Sequence, residues 1–409
     1  MSVKVIFGTV IGLMLMWMIP AVHAQGEFQL SYSCANCHQE RYNEWSRSMH
    51  ALSVNDPIFE AEYLHALESD PKYRGYCLTC HSPTTRITND LNLTKSISVE
   101  GVTCSFCHSV TGVVNNNYIF SQSNPMQGPY TDSKTDAHAS AYSGLHNKSE
   151  FCAGCHDFSI NGVPISQTYT EWKEGPYAAE GKQCQDCHME TKTGVAAKNG
   201  TIRDKVYQHF WYGGHTGQFL ENAFRINSSI QETGNRVKVT LNITNNNVGH
   251  MIPSGLPSRK VILDLNVSDR QGHEIYSSEK VYTKTLVDQY NNEVSDFWKA
   301  AAVANDNRFK PQESRIEVFE FDTPNGTDGI NVKASLTYQL EAEIITTEME
   351  SVNVELASVS SSAMFNETAA ATPKSPAIGW IGSLIAAIAA IMVIRRRQLQ
   401  PGKTKANRP

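Results

Sequence analysis

The chain has 409 residues with a formal charge of −6, and 40% of its residues are hydrophobic. That length suits two domains. The mild acidity, with no basic stripe, excludes nucleic acid as a partner.

In chain order, residues 1–24 read as a secretory signal peptide. Lys4 precedes an apolar run from Val5 to Pro20, and Val22-His23-Ala24 offers small residues for cleavage after Ala24.

The segment 25–218 holds all ten cysteines, in one pattern. Cys34-x-x-Cys37-His38 and Cys77-x-x-Cys80-His81 come first, then Cys104-x-x-Cys107-His108. Cys152-x-x-Cys155-His156 and Cys184-x-x-Cys187-His188 complete the set. A disulfide framework, zinc pairs or a thioredoxin-type site would leave the five histidines unexplained. Covalent haem c explains them. Two thiols add to the two vinyl groups of a haem, and the adjacent imidazole lies beneath the ring to bind iron. Five haem c groups are therefore expected, and no cysteine remains for a disulfide.

The motif starts are 43, 27, 48 and 32 residues apart. So short a chain per haem buries little apolar surface of its own. Short helices and irregular connections are expected, with the haems supplying much of the core and lying close together.

His38, His81, His108, His156 and His188 are the proximal ligands of this reading. Candidate distal ligands are His50, His138, His146, His209, His215 and His250, enough to close every iron. His65 is left open, His273 reads as a surface residue, and Met189 or Met251 are alternative ligands. Tyr42, Trp45, Met49 and Leu52 recur at helical spacing, so Gln39 to Leu52 reads as helical. His50 then lies about 18 Å from His38 along the axis. Two imidazole nitrogens on one iron sit only about 4 Å apart, from bonds of about 2 Å. His50 is therefore expected to serve another haem. In HFWYGGH, His209 and His215 flank Gly213 and Gly214, which permit close backbone approach to a flat ring.

These residues resemble the tetrahaem cytochromes that accept electrons from hydroxylamine oxidoreductase. The likeness rests on Cys34 to Ala51 with Trp45 and His50, and on the close pair Cys77–His81 and Gly101-Val102-Thr103-Cys104 to His108. His138 and Cys152–His156 continue it, over about residues 30–215. The resemblance implies that His50 and His138 ligate haems other than their nearest, and that His209 or His215 is a late ligand. It also implies one haem without a distal ligand, at Cys77–His81. The fifth motif, Cys184–His188, and the C-terminal domain depart from that group. Thr168–Trp172, TYTEW, resembles a segment found in larger multihaem relatives.

Residues 219–356 alternate apolar and polar side chains. Val237, Val239, Leu241 and Ile243 form one such run, and Val261, Leu263, Leu265 and Val267 another. Further strands are expected over 273–284, 314–321, 331–340 and 350–357, with turns at Asp269–Gly272 and Pro324–Gly329. The expected architecture is an antiparallel, immunoglobulin-like sandwich. The loop 245–260, NNNVGHMIPSGLPSRK, is expected to carry His250 into the haem domain.

Residues 357–376 read as a Ser/Thr/Ala/Pro linker. Ala377 to Ile394 is long and apolar enough to span a bilayer, and Arg395–Arg397 open a basic cytoplasmic tail, 395–409. The fold class is thus α+β: a mainly α and irregular multihaem domain, a β-sandwich and a transmembrane helix. The function expected is an exported cytochrome, anchored to the cell membrane, passing electrons between a redox protein donor and acceptor. One alternative is a redox enzyme acting on small nitrogen or sulfur compounds. Another is a cytochrome subunit of an extracellular electron-conducting assembly.

Overall fold

The computed structural model describes residues 28–121, 125–221, 223–340 and 353–365. The expected signal peptide, transmembrane helix and basic tail lie outside these residues. Among the described residues, no helix is long and apolar enough to cross a membrane.

The haem-motif region is built from short pieces. Helix α1, Ser31–Trp45, carries the first motif and is interrupted at His38, whose φ of −107° and ψ of 40° are non-helical. It does not continue to Leu52 as the apolar spacing suggests. Ser46–Ser48 break it, and the Ser48 hydroxyl accepts from the amide of Ala51 to start α2, Met49–Leu52. The indole of Trp45 donates to the Val102 carbonyl at 2.8 Å, fixing the break against the approach to the third motif.

Asp56 caps α3, Pro57–Ser69, with Pro57 in its first turn. Helix α4, Tyr73–His81, ends in the second motif. The other three motifs are single turns: Cys104–Cys107, Ala153–His156 and Cys184–His188. A helical turn suits Cys-x-x-Cys-His because residues three and four apart share one face. Small two-stranded hairpins at 110–120, 158–166 and 191–207 fill the connections.

From Phe224 the alternation becomes sheet. One sheet orders the strands Ser314–Asp322, Arg236–Asn245 and Phe224–Thr233. The other orders Glu274–Tyr282, Lys260–Asp269, Gly329–Gln339 and Asn353–Met364. All these pairings are antiparallel, with Val239 opposite Phe319 and Leu263 opposite Leu336. The inward residues Val237, Val239, Leu241, Ile243, Val261, Leu263, Leu265 and Val267 are fully buried in one cluster. The sandwich is as expected, with an added first strand. Its last strand reaches Met364, past the expected boundary at 356, so residues 357–364 are sheet rather than linker.

An excursion between two sandwich strands folds as a small sheet of Lys284–Val287, Glu293–Val294 and Ala302–Asp306. Its Leu286, Trp298 and Ala300 pack on Ala66, Ile160, Val163 and Ile165 of the haem-motif region. The described residues through Phe365 form one compact unit.

Candidate haem sites

All five Cys-x-x-Cys-His motifs open onto one cavity of about 2020 Å³. That is larger than the roughly 300–1,000 Å³ of a single small-molecule site. His50, His138, His146, His209, His215 and His250 line the same cavity, whereas His65 and His273 do not. His273 sits exposed in its hairpin, 2.8 Å from Asp269.

The ring positions sort these histidines. His38 faces His138 with centroids 6.4 Å apart, and His50 faces His156 at 6.3 Å. His108 faces His209 at 6.5 Å, and His188 faces His250 at 6.3 Å. Two imidazoles on opposite sides of one iron require just such a gap. Each iron–nitrogen bond is about 2 Å. A five-membered ring with bonds of about 1.35 Å places its centroid roughly 1.15 Å behind the nitrogen. The sum across the iron is about 6.3 Å.

The opposite ring nitrogens are anchored. Nδ1 of His38 lies 2.9 Å from the Ala196 carbonyl, and that of His81 lies 2.7 Å from the Ser53 carbonyl. His108 and His188 make the same contact to Gln127 and Tyr212, each at 2.5 Å. Among the facing histidines, His138, His209 and His250 meet the carbonyls of Ala139, Tyr207 and Met251. An Nδ1–H donating to a carbonyl leaves Nε2 with its lone pair toward the cavity. Burial lowers the pKa values of His81, His108, His188, His209 and His250, favouring the neutral form that ligands must have. Burial holds His50 down to about 3, with help from His156 and His188. His209 falls to about 3 through burial, His108 and Arg41. His156 falls to about 4 through burial, His188 and further cationic neighbours.

Two candidates and one proximal histidine stand apart. His146 stacks 5.5 Å from His108, and its Nε2 lies 3.2 Å from the Cys107 carbonyl. His215 lines the cavity without facing another imidazole among the described residues. The glycine beside it, Gly214, does approach a flat ring. That ring is Tyr338 of the sandwich, whose hydroxyl would lie 2.8 Å from a Cβ there. His81 is faced by no second histidine among the described residues, and Phe59 stacks on its ring at 3.8 Å.

Neighbouring cysteines order the motifs in space. Cys34 neighbours Cys104, Cys80 neighbours Cys155, and Cys152 neighbours Cys184. Trp211 fills the remaining junction. Its ring lies 4.6 Å from His50 and 5.0 Å from His209, edge-on to both, on a backbone with φ of 45°. Sequence reasoning overlooked this tryptophan, although it sits inside HFWYGGH.

A family model described as cytochrome c554 and c-prime matches residues 33–109, the span of the first three motifs. The chain shares its fold with a penta-heme cytochrome c552 from Thermochromatium tepidum. The two are 22% identical over 82% of this chain and 99% of the other, with a TM-score of 0.66. A putative beta-galactosidase from Bacteroides fragilis is 10% identical over 36% of this chain and 16% of its own. A beta-glucuronidase of glycoside hydrolase family 2 is 9% identical over 34% and 11%. Their TM-scores of 0.18 and 0.16 carry no argument. Among curated proteins, none matches significantly.

Proposed function

We propose that this chain is a multihaem c-type cytochrome that carries electrons through five haem c groups, one on each Cys-x-x-Cys-His motif. Four would be bis-histidine, ligated by His38 and His138, His156 and His50, His108 and His209, and His188 and His250. The observation carrying this reading is the recurrence of one ring separation, 6.3–6.5 Å, in four pairs. Haem iron, when bound, supplies one-electron chemistry at potentials lowered by bis-histidine ligation relative to His/Met ligation. The protein's part is placement. The neighbouring cysteines bring the first motif beside the third and make the fourth motif a branch, beside both the second and the fifth. Trp211, between His209 and His50, links the third to the fourth.

Intact mass and electron paramagnetic resonance of the holoprotein test the proposal together. Five haems are expected, four of them low-spin ferric. His138→Ala should convert one to high spin. Fewer than four low-spin haems in the wild type would overturn the assignment.

A second reading attaches to His81. With no imidazole facing it among the described residues, its haem would keep a position for a small nitrogen or sulfur compound. Carbon monoxide added to the reduced protein should then bind one haem in five. Binding to none would remove the enzyme reading and leave the carrier.

The expected signal peptide and C-terminal helix support placing the head outside the cytoplasm, tethered to the cell membrane, where redox proteins would donate and accept electrons. Truncation after Pro376 should release it from membranes. Filaments on microscopy would instead favour a conducting assembly.

A further inference from the structure

The segment Thr168–Trp172 lies on a short helix, Thr168–Lys173, and contains none of the proposed ligands. Its contacts nevertheless converge on two haem motifs and on the loop bearing His250. The Thr170 hydroxyl donates to Asp157, the residue after His156, at 2.9 Å. The indole of Trp172 donates to the Lys182 carbonyl at 3.0 Å, just before Cys184. On the opposite side, Trp172 and Tyr177 pack on Gly249, where a Cβ would stand 3.7 and 3.6 Å from their rings. Thr168 meets Ser254 through their hydroxyls at 2.7 Å, and Ser254 donates to Glu171 at 3.0 Å.

Glu171 also meets a cation from the sandwich. Arg308 pairs with Glu171 at 2.8 Å and with Asp306 at 2.8 Å, and both Arg308 and Glu171 side chains are almost wholly buried, 4% and 7% exposed. Arg308 further donates to the Pro253 carbonyl at 3.1 Å. Its neighbour Phe309 exchanges backbone hydrogen bonds with Ile252 at 2.9 and 3.1 Å. The loop 249–254 is thus gripped on one side by the sandwich and on the other by Thr168, Glu171 and Trp172.

We propose that Glu171 and Arg308 are positioning residues for His250, clamping its loop so that the imidazole stays opposite His188. A buried ion pair is an expensive way to gain stability. Its value here is registry. It fixes the loop to the fourth and fifth motifs through one helix, and a ligand held this way resists displacement from iron. The inference rests on the reading of His250 as a haem ligand.

The test uses the holoprotein and cyanide as the competing ligand. In Glu171→Gln and Arg308→Lys, cyanide should displace the ligand of one low-spin haem at least tenfold faster than in wild type. The other three bis-histidine haems should exchange unchanged. Ser254→Ala, a milder change, should give a smaller acceleration at the same haem. His250→Ala separates the two readings. If it leaves every haem signal unaltered, the ligand assignment fails and the clamp with it. If it creates one high-spin haem while the other variants exchange at the wild-type rate, the assignment stands and the clamp is overturned. Equal acceleration at all four haems would also overturn it, as general loosening.

Discussion

Gly101→Ala should dislodge His50 without touching it. Gly101 adopts φ of +70° between Glu100 and Val102, hard against the turn that carries His50. An alanine there costs about 1–2 kcal/mol for the left-handed backbone alone. Its Cβ would overlap the His50 carbonyl oxygen and stand 2.8 Å from that of Ala51. Ordinary contacts begin near 3.5 Å, so the His50 segment must retreat by about 0.7 Å or more. The hydrogen bond from the Val102 amide to the His50 carbonyl, 2.8 Å, is strained or lost, at about 1 kcal/mol. The total is roughly 2–3 kcal/mol, and an iron–nitrogen bond near 2 Å has no slack to absorb such a shift. Electron paramagnetic resonance should show one low-spin haem, that on Cys152 and Cys155, converted at least partly to high spin. Thermal unfolding should fall by about 4–6 °C. Gly272→Ala is the control, since Gly272 also has positive φ, +92°, but nothing within 4 Å of a Cβ. It should cost stability and leave all haems unchanged. Unaltered spectra in Gly101→Ala, or an equal change in Gly272→Ala, would refute the reasoning.

Trp211→Leu should perturb two haems at once, those paired through His50 and His209, because one ring contacts both imidazoles. Redox titration resolved by haem should show two potentials moved and three unmoved; a single shifted haem would contradict the shared contact. Glu62 lines the haem cavity near Cys77, and burial, reinforced by Asp296 against the opposing effect of His65, pushes its carboxyl up to about 7. Asp296 is itself held by His65 at 3.0 Å and Lys299 at 2.6 Å. Because the native pKa is raised above 4.5, this carboxyl's contribution to stability is complete below pH 4.5 and is lost as pH rises through 7. Reduction of the adjacent haem favours the protonated form, so its potential should fall by up to about 59 mV per pH unit around neutrality. Glu62→Gln should flatten that slope, and an unchanged slope would exclude Glu62 as the group.

The candidate attachment sites stand out in sequence because covalent haem chemistry demands fixed spacing, whatever the fold around it. His50, His138, His209 and His250 were legible as candidates because five irons need partners. Assigning each to its partner was not possible from spacing, since the facing rings come from segments far apart in the chain. Helical rise argued His50 away from the motif of His38, and in the structure its ring lies opposite His156, although the helix breaks at Ser46–Ser48. The break itself depends on Trp45 reaching Val102, a long-range contact with no local signature. His146 looks equivalent to the others in sequence, which does not label the contact its Nε2 makes with the Cys107 carbonyl. The sandwich was legible through its alternation. Its excursion 284–306 was not, because those strands are short and are stabilised by packing on Ile160, Val163 and Ile165 rather than by their own pattern.

The two halves of the fold depend on haem unequally. The sandwich has a continuous buried core of its own, from Leu220 to Leu356. Around the second motif, by contrast, the buried cluster is only Val54, Phe59 and Leu78. Elsewhere in the motif region the motif side chains face the cavity. Each of the four proposed bis-histidine irons closes a loop of about 60–110 residues, and the loops interleave, so that the segment between His38 and His138 also contains His50 and His108. Without the irons, the ordering entropy of those loops is opposed by little apolar burial. Protein made without haem attachment should therefore lose its motif region to limited proteolysis while a fragment beginning near residue 219 resists. The holoprotein under the same digestion should stay intact through Phe365. Equal resistance of both halves in the haem-free protein would show that the polypeptide alone holds the cavity open, and the haems would then be cargo in a preformed frame rather than its core.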